Sequence, residues 1–204
     1  MYIPRHFEES REAVLHALIR EHPLGALVVS GPDGLEANHL PFELDTEQGV
    51  LRAHVARANP LWRAAPCEAL AIFQGPSAYI SPSFYPGKAE HGRAVPTWNY
   101  IAVHAGGPLR VVDDPAWLRA LVDRLTNRFE AGRPAPWKLD DAPDDYLHKL
   151  LGQIVGIELE IARIAGKWKM SQNQPEANRA GVEQGLRAEG GGAADVAEHM
   201  ARLR

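Results

Sequence analysis

The stretch Val95-Pro96-Thr97-Trp98-Asn99-Tyr100-Ile101-Ala102-Val103-His104-Ala105 decides how the rest of the chain is read. After Pro96 it has the two-residue period of a strand, with Thr97 and Asn99 on one face and Trp98 and Tyr100 on the other. Aromatic residues suit a pleated, half-buried surface, so packing alone would account for Trp98 and Tyr100. A flat heteroaromatic ligand asks for the same ingredients, rings to stack on and fixed polar atoms to orient it. From this stretch alone both readings stand.

Upstream lies Pro82 to Ala94, an aperiodic loop with the turn pair Pro86-Gly87, which makes it a candidate lid. Two short strands, Ala69 to Gln74 and Ser77 to Ser81, are expected before it, separated by Gly75-Pro76. Asn59-Pro60 is an N-cap followed by proline at the first helical position, so a short helix follows the strand Val50 to Val55. Leu24 to Ser30 and Leu35 to Leu44 read as a hairpin about Gly31-Pro32-Asp33-Gly34, and Thr46 to Gly49 as the next turn. Glu8 to His22 carries Val14, Leu15, Leu18 and Ile19 on one helical face and is stopped by Pro23.

Downstream, Gly106-Gly107-Pro108 is expected to interrupt the strand before Leu109 to Val112. Asp114-Pro115 then opens a helix whose stripe is Leu118, Leu121, Val122, Leu125 and Phe129, and a second helix runs from Asp144 or Asp145 to Leu151 and closes at Gly152. Val155, Ile157, Leu159 and Ile161 give the cleanest alternation in the chain. Glu158 and Glu160 are therefore expected on its solvent face, not as an acid/base pair. The basic, aromatic and amide-rich Gly166 to Asn173 ends this strand. A helix from Pro175 to Leu186 follows, then Gly190-Gly191-Gly192 and a short amphipathic helix using Val196, Met200 and Leu203, which either packs on a partner subunit or frays. Many short strands in series, with helices between groups of them, indicate an α+β protein that is mainly antiparallel β.

A chain of 204 residues, 45% hydrophobic and 24% charged, has material for one main domain with a small appendage. With 22 basic and 26 acidic side chains it has no overall footprint for nucleic acid, and Arg163, Lys167 and Lys169 form the one local basic patch. The single cysteine, Cys67, rules out an intramolecular disulfide and points to a reducing compartment. Without a signal pattern or long apolar run the expectation is a cytoplasmic protein with no membrane contact. None of the nine histidines has the spacing of a zinc site, so no metal is expected. Ser30, Ser81 and Ser171 lack a nucleophile-elbow setting, and no glycine-rich loop joins a strand to a helix, so no catalytic residue is assigned. What remains is a set of polar strand-end residues: Asn38 and His39, His54 and Arg57, Tyr79 and Ser81, and Thr97 to Tyr100. Arg57 lies just ahead of the turn capped by Asn59, where a guanidinium and helix-start amides suit a phosphate.

Taken together, Met1-Tyr2-Ile3-Pro4-Arg5-His6-Phe7, Ala37-Asn38-His39-Leu40-Pro41-Phe42, His54-Val55-Ala56-Arg57-Ala58-Asn59-Pro60, Tyr79-Ile80-Ser81-Pro82-Ser83, Val95 to Tyr100 and Lys169-Met170-Ser171-Gln172-Asn173 closely resemble the PaiB family of FMN-binding negative transcriptional regulators. The resemblance implies the flavin split barrel of pyridoxamine-phosphate oxidases, an antiparallel barrel of six to seven strands with peripheral helices, over residues 1–174, and a C-terminal helical extension over 175–204. It implies a homodimer with FMN at the subunit seam. The FMN phosphate would lie at His54, Arg57 and Asn59, and the isoalloxazine beside Asn38, His39 and Leu40, with Tyr79 and Ser81 from a neighbouring strand. Thr97, Trp98, Asn99, Lys169 and Gln172 complete the implied cofactor set, with either Thr97 and Asn99 or Trp98 and Tyr100 turned to the flavin. Relatives of the oxidase branch carry extra basic residues at the phosphate segment that are missing here, and Met170 and Gln174 stand where Leu and Arg are expected. The function implied is transcriptional regulation, with DNA contact possible but supported by neither net charge nor motif. The alternative is a flavin-dependent oxidoreductase or a haem-handling split-barrel enzyme.

Overall fold

A computed structural model describes residues 1–31, 34–88 and 92–203. The expected turn at residues 32–33 and the middle of the candidate lid, 89–91, lie outside the described residues. Among the described residues nine strands form, β1 (Glu8–Glu9), β2 (Leu24–Gly31), β3 (Gly34–Pro41), β4 (Glu43–Asp45), β5 (Val50–Ala56), β6 (Cys67–Ile80), β7 (Thr97–Val112), β8 (Ile154–Glu160) and β9 (Arg163–Lys169), hydrogen-bonded in the order β3-β2-β6-β7-β8-β5-β4, with β9 pairing β7 and β1 pairing β9. This path does not close on itself, and its strand count exceeds the six to seven of the implied barrel because it includes the short β1 (Glu8–Glu9) and β4 (Glu43–Asp45). The chain divides into two compact units, one of Met1–Leu18, Gln74–His104 and Ala165–Arg204, the other of Ile19–Phe73 and Ala105–Ile164.

The second unit holds β2 (Leu24–Gly31), β3 (Gly34–Pro41), β4 and β5 (Val50–Ala56), the first part of β6 (Cys67–Ile80) and the second part of β7 (Thr97–Val112). It also holds β8 (Ile154–Glu160) and the helices α2 (Pro115–Glu130) and α3 (Asp144–Leu151). The predicted hairpin is present with Leu27 opposite Asn38 and Ala26 opposite His39, and β2 pairs on its other side with β6. Leu27, Leu51, Ala53, Phe73, Val155 and Leu159 are all but sealed from solvent, and Phe42 meets Phe73 edge to face. α2 starts where expected because the Asp114 carboxylate accepts the Trp117 N–H at 2.8 Å. Its buried stripe is Leu118, Leu121 and Leu125, while Phe129 is exposed.

The first unit holds β1, most of α1 (Glu12–Glu21), the remaining parts of β6 and β7, most of β9 (Arg163–Lys169), and the helices α4 (Glu176–Glu189) and α5 (Gly191–Arg202). Glu8 pairs with Lys167 across β1 and β9. The C-terminal residues expected to fray or meet a partner instead pack within the chain: Val196, Ala197 and Met200 are buried, as are Val182 and Leu186 of α4.

Three expectations change. The two strands around Gly75-Pro76 are one strand of 14 residues, and the break at Gly106 to Pro108 lies inside a strand of 16. These glycines give clearance rather than turns, since a Cβ on Gly75 would lie 2.9 Å from the Leu18 side chain and one on Gly107 would lie 2.3 Å from the Glu160 carbonyl oxygen. Glu158 is buried, 6% exposed, because β8 runs between β5 and β7 and is covered on both faces. Its register places Arg52 directly opposite on one side and Arg110 on the other. Glu158 accepts from Arg52 Nε at 2.9 Å and from Arg110 Nε at 2.8 Å, so the strand carries its charge as a cross-strand triplet. Cys67 is half-buried at the start of β6. No helix among the described residues is long and apolar enough to cross a membrane.

Candidate functional site

In the second unit, the motifs around Asn38 and Asn59 meet. Asn59 Nδ2 donates to Asn38 Oδ1 at 2.7 Å while Asn59 Oδ1 accepts the Leu61 N–H at 2.9 Å, capping a 3-10 turn over Pro60–Ala64 as its sequence predicts. Asn38 Nδ2 in turn donates to Glu36 at 2.9 Å. His39 is exposed and Leu40 is buried, as alternation along β3 requires.

Arg57 is placed differently from a free phosphate clamp. Its Nη1 and Nη2 donate to the two Asp113 oxygens at 2.9 and 2.6 Å, its Nε donates to Gly152 O at 2.9 Å, and Nη2 also donates to Ile154 O at 3.1 Å. A guanidinium has five N–H groups, so one is left for an anion unless Asp113 is displaced. The carboxylate holds the Arg57 charge in place and Arg57 keeps Asp113 below the usual carboxylate range. Asp113 carried no sequence signal of its own; it adjoins the Asp114 cap and looks like part of a helix start.

His54, opposite Gly156 in the β5–β8 register, lines a mainly apolar cavity of about 420 Å³ together with Val122, Trp137, Tyr146, Leu150 and Ile154. Its Nδ1 is buried and has no hydrogen-bond partner among the described residues. Burial pushes the imidazole below its ordinary value and favours the neutral ring, which leaves one nitrogen able to accept from or donate to a ligand.

In the first unit, the opening strand separates its two faces. Trp98 is 55% exposed and meets Tyr79, 47% exposed, edge to face at 6.1 Å between ring centroids. Thr97 and Asn99 face the other way, into a polar cavity of about 290 Å³ that Lys169 and Ser171 also line. Lys169 Nζ donates to Thr97 Oγ1 at 2.6 Å and to the Trp98 carbonyl at 2.5 Å. Asn99 is fully buried and exchanges hydrogen bonds with the Ser171 hydroxyl at 3.1 and 3.2 Å, while its Nδ2 also reaches Met200 Sδ at 3.5 Å.

The turn after β9 is held by its own side chains. Ser171 has φ 62°, a left-handed conformation uncommon outside glycine. Gln172 spans the turn, with Oε1 accepting the Met170 N–H at 2.7 Å and Nε2 donating to Trp168 O at 2.6 Å. Gln172 therefore acts on the backbone and positions Ser171. Ser81 likewise works locally, accepting the Ser83 N–H at 3.2 Å to cap a 3-10 turn over Pro82–Phe84. Ser171, Asn173 and Asn178 were not among the residues assigned from sequence. The first two stand in a motif that was quoted, whereas Asn178 lies on α4 with nothing in the sequence to distinguish it.

The candidate basic patch does not present three free cations. Arg163 pairs with Glu68 at 3.1 Å, Lys167 is 8% exposed with its ammonium on Tyr2 O and over the Tyr100 ring, and Lys169 is turned to Thr97.

The chain has relatives among known proteins. The chain is 33% identical over 93% of its length to the Bacillus subtilis protein called protease synthase and sporulation protein PAI 2, of which 90% is covered. It is 32% identical over its whole length to an Emericella nidulans protein, of which 97% is covered. Among solved structures, the flavocytochrome Anf3 from Azotobacter vinelandii matches 88% of this chain and 78% of its own with a TM-score of 0.63 at 13% identity. The FAD and haem binding protein from Mycobacterium smegmatis matches 90% of this chain and 80% of its own, again at a TM-score of 0.63, with 17% identity. At those identities the two structures speak for the fold alone, that of flavin-binding split-barrel proteins. The family described as "Putative FMN-binding domain" matches residues 1–163, and the chain belongs to that FMN-binding family.

Proposed function

We propose that this chain is an FMN-binding split-barrel homodimer of the PaiB type that acts as a negative regulator of transcription, with the flavin at the seam between two copies. The observation that carries the reading is the Tyr79–Trp98 pair, two large aromatic side chains about half exposed on the face of the strand opposite Thr97 and Asn99. Exposed aromatic surface of this kind is what a flat ring or a second subunit covers.

The donor set fits a flavin. Within the second unit His54 offers an unpartnered nitrogen over an apolar wall for a ring and Arg57 keeps an N–H for a phosphate; within the first unit Lys169 separately keeps one N–H for an anion. Flavin, when bound, supplies one- and two-electron redox chemistry. The residues of this chain bind and orient it: Asn59 and Asn38 hold the segment around Arg57, and Gln172 and Ser171 hold the end of β9. Lys167 and Lys169 are turned inward, so repression is assigned to a partner or to a surface formed by the dimer rather than to this patch.

The test has three parts: an absorbance spectrum of freshly purified protein, the sedimentation of the protein with and without FMN, and a promoter-fragment shift at two salt concentrations. Flavin absorbance, a dimer, and Trp98→Ala that loses both support the reading. Colourless protein that gains no thermal stability from FMN refutes it.

A second reading, a flavin-dependent oxidoreductase, is favoured by the apolar cavity beside a neutral His54, which suits a substrate that must be kept from water. Anaerobic mixing with FMN and NAD(P)H tests it, and flavin absorbance that no donor bleaches removes it. A Soret band in the purified protein would mark a haem-handling protein.

A further inference from the structure

Lys169 is the unusual cation of the first unit. Its ammonium has three N–H groups, and two are spent on neutral oxygens, the Thr97 hydroxyl and the Trp98 carbonyl. No carboxylate among the described residues lies within ion-pair distance of it, and no Asp or Glu is among the described residues lining the cavity it faces. The other charges nearby are of the same sign: Lys167 stands two residues back on the same face of β9, and Arg93 also lines the cavity. Burial first, and then the Lys167 charge, push Lys169 below its ordinary value. The charge of an anion in the cavity would oppose both effects.

The walls suit such a ligand. Thr97, Asn99, Ser171, Asn173 and Asn178 bring hydroxyl and amide groups, which recognise an anion by hydrogen bonds without adding charge. The wall is also built before any ligand arrives. Ser171 is held in its left-handed conformation by Asn99 on one side and by the Gln172 bridge on the other, an arrangement that persists only when its surroundings over-determine it. At about 290 Å³ the space takes a head group or a small metabolite.

We propose that the cavity between the start of β7 and the end of β9 is a binding site for a small oxyanion, a phosphate monoester or a carboxylate, with Lys169 as its counter-charge. The site stands on this geometry whether or not the chain binds flavin. Two sources share the chemistry, the terminal phosphate of FMN and a separate anionic metabolite.

The experiment is calorimetric titration of the purified full chain with inorganic phosphate and with acetate, at ionic strength matched with sodium chloride. FMN and riboflavin are titrated in parallel. Lys169→Met, Lys169→Arg and Asn178→Leu are compared with the parent, and far-UV circular dichroism reports whether each is folded. Asn178→Leu narrows the cavity from α4 and leaves the strand lysine in place. The expected result is saturable binding of phosphate or acetate that weakens about tenfold or more in Lys169→Met and in Asn178→Leu and is partly kept in Lys169→Arg. If Lys169→Met also abolishes a preference for FMN over riboflavin, the occupant is the flavin phosphate. If it removes oxyanion binding and leaves that preference unchanged, the occupant is a separate anion. Absence of saturable oxyanion binding to the parent, or equal binding by folded Lys169→Met and Asn178→Leu, overturns the proposal.

Discussion

Replacing Glu158 by glutamine removes one negative charge from the middle of β8 and leaves two guanidinium groups facing a neutral amide. The two partners do not weigh equally. The Arg110 side chain is 62% exposed, so water and counter-ions take over much of what Glu158 gave it, and that half of the triplet is worth about 1 kcal/mol at most. The Arg52 side chain is 11% exposed and loses its carboxylate in a region that water hardly reaches. Breaking a buried pair by removing one partner costs about 3–5 kcal/mol. Arg52 keeps Asp45 at 2.9 Å and the Gln48 amide oxygen at 2.7 Å, so the expected loss lies lower, about 2–4 kcal/mol, against a total stability on the order of 10. Urea unfolding at pH 7 reads this as a lower midpoint with an unchanged slope, and a scan reads it as a fall of several degrees. The diagnostic is salt. A buried pair is screened little, so the loss should persist in 1 M sodium chloride, where an exposed pair would have been silenced. A variant within about 0.5 kcal/mol of the parent, or a loss that vanishes in high salt, would show that β8 is not covered on both faces.

Gly181→Ala should destabilise despite alanine's better helix propensity, because its Cβ would stand 2.1 Å from the Phe84 carbonyl oxygen; overpacking of about 1–3 kcal/mol outweighs a gain of up to about 1. Gly192→Ala, whose Cβ meets nothing within 4 Å, is the control and should be neutral or stabilising by thermal denaturation. Burial lowers His54, and burial followed by the positive N-terminus lowers His104, so both have native values below the 6.5 of the unfolded chain. The unfolded state then binds more protons as pH falls below about 6.5, and stability should drop there by at most about 1.4 kcal/mol per pH unit for each group until the native value is reached. His54→Leu should flatten that slope by one proton, and an unchanged slope across pH 5 to 7 would contradict a buried neutral His54. Arg57→Ala should loosen the attachment of β5 to the segment after α3, seen as faster amide exchange of the Gly152 to Ile154 region; equal protection in the variant would mean that the Asp113 pair and the two carbonyl bonds hold nothing in place.

Much of the fold could be read from local chemistry. Pro23, the Asn59 and Asp114 caps and the alternation of β8 each act within a few residues, and each element they announce is present. The errors fall where a residue's role is set by distant neighbours. Gly75 and Gly107 read as turn formers because their local preference is permissive, yet each is needed for a side chain or carbonyl from far along the chain. Glu158 reads as a surface residue because its alternation is perfect, and only its register against Arg52 and Arg110 on the neighbouring strands reveals what buries it. The candidate site divides in the same way. Thr97, Asn99 and Lys169 are gathered at one cavity, as the quoted motifs suggested, whereas Ser81 and Gln172 turn out to hold turns together. Arg57 was chosen for its charge beside a capped turn, and the aspartate that engages it lies fifty-six residues away.

The hydrogen bond from Asn99 to Met200 has a bearing on where this protein can be cut. The family match ends at residue 163, although the Emericella nidulans relative aligns over the whole chain. A chain ended there would keep β8 intact and lose the partner of β1, the lysine that holds Thr97 and Trp98, and both helices over which Val182, Val196 and Met200 are buried. Asn99, buried with its side chain bonded to Ser171 and Met200, would be opened to solvent near the start of its strand. The matched segment thus stops short of what the fold needs, and its expression alone should yield aggregates rather than a smaller folded protein.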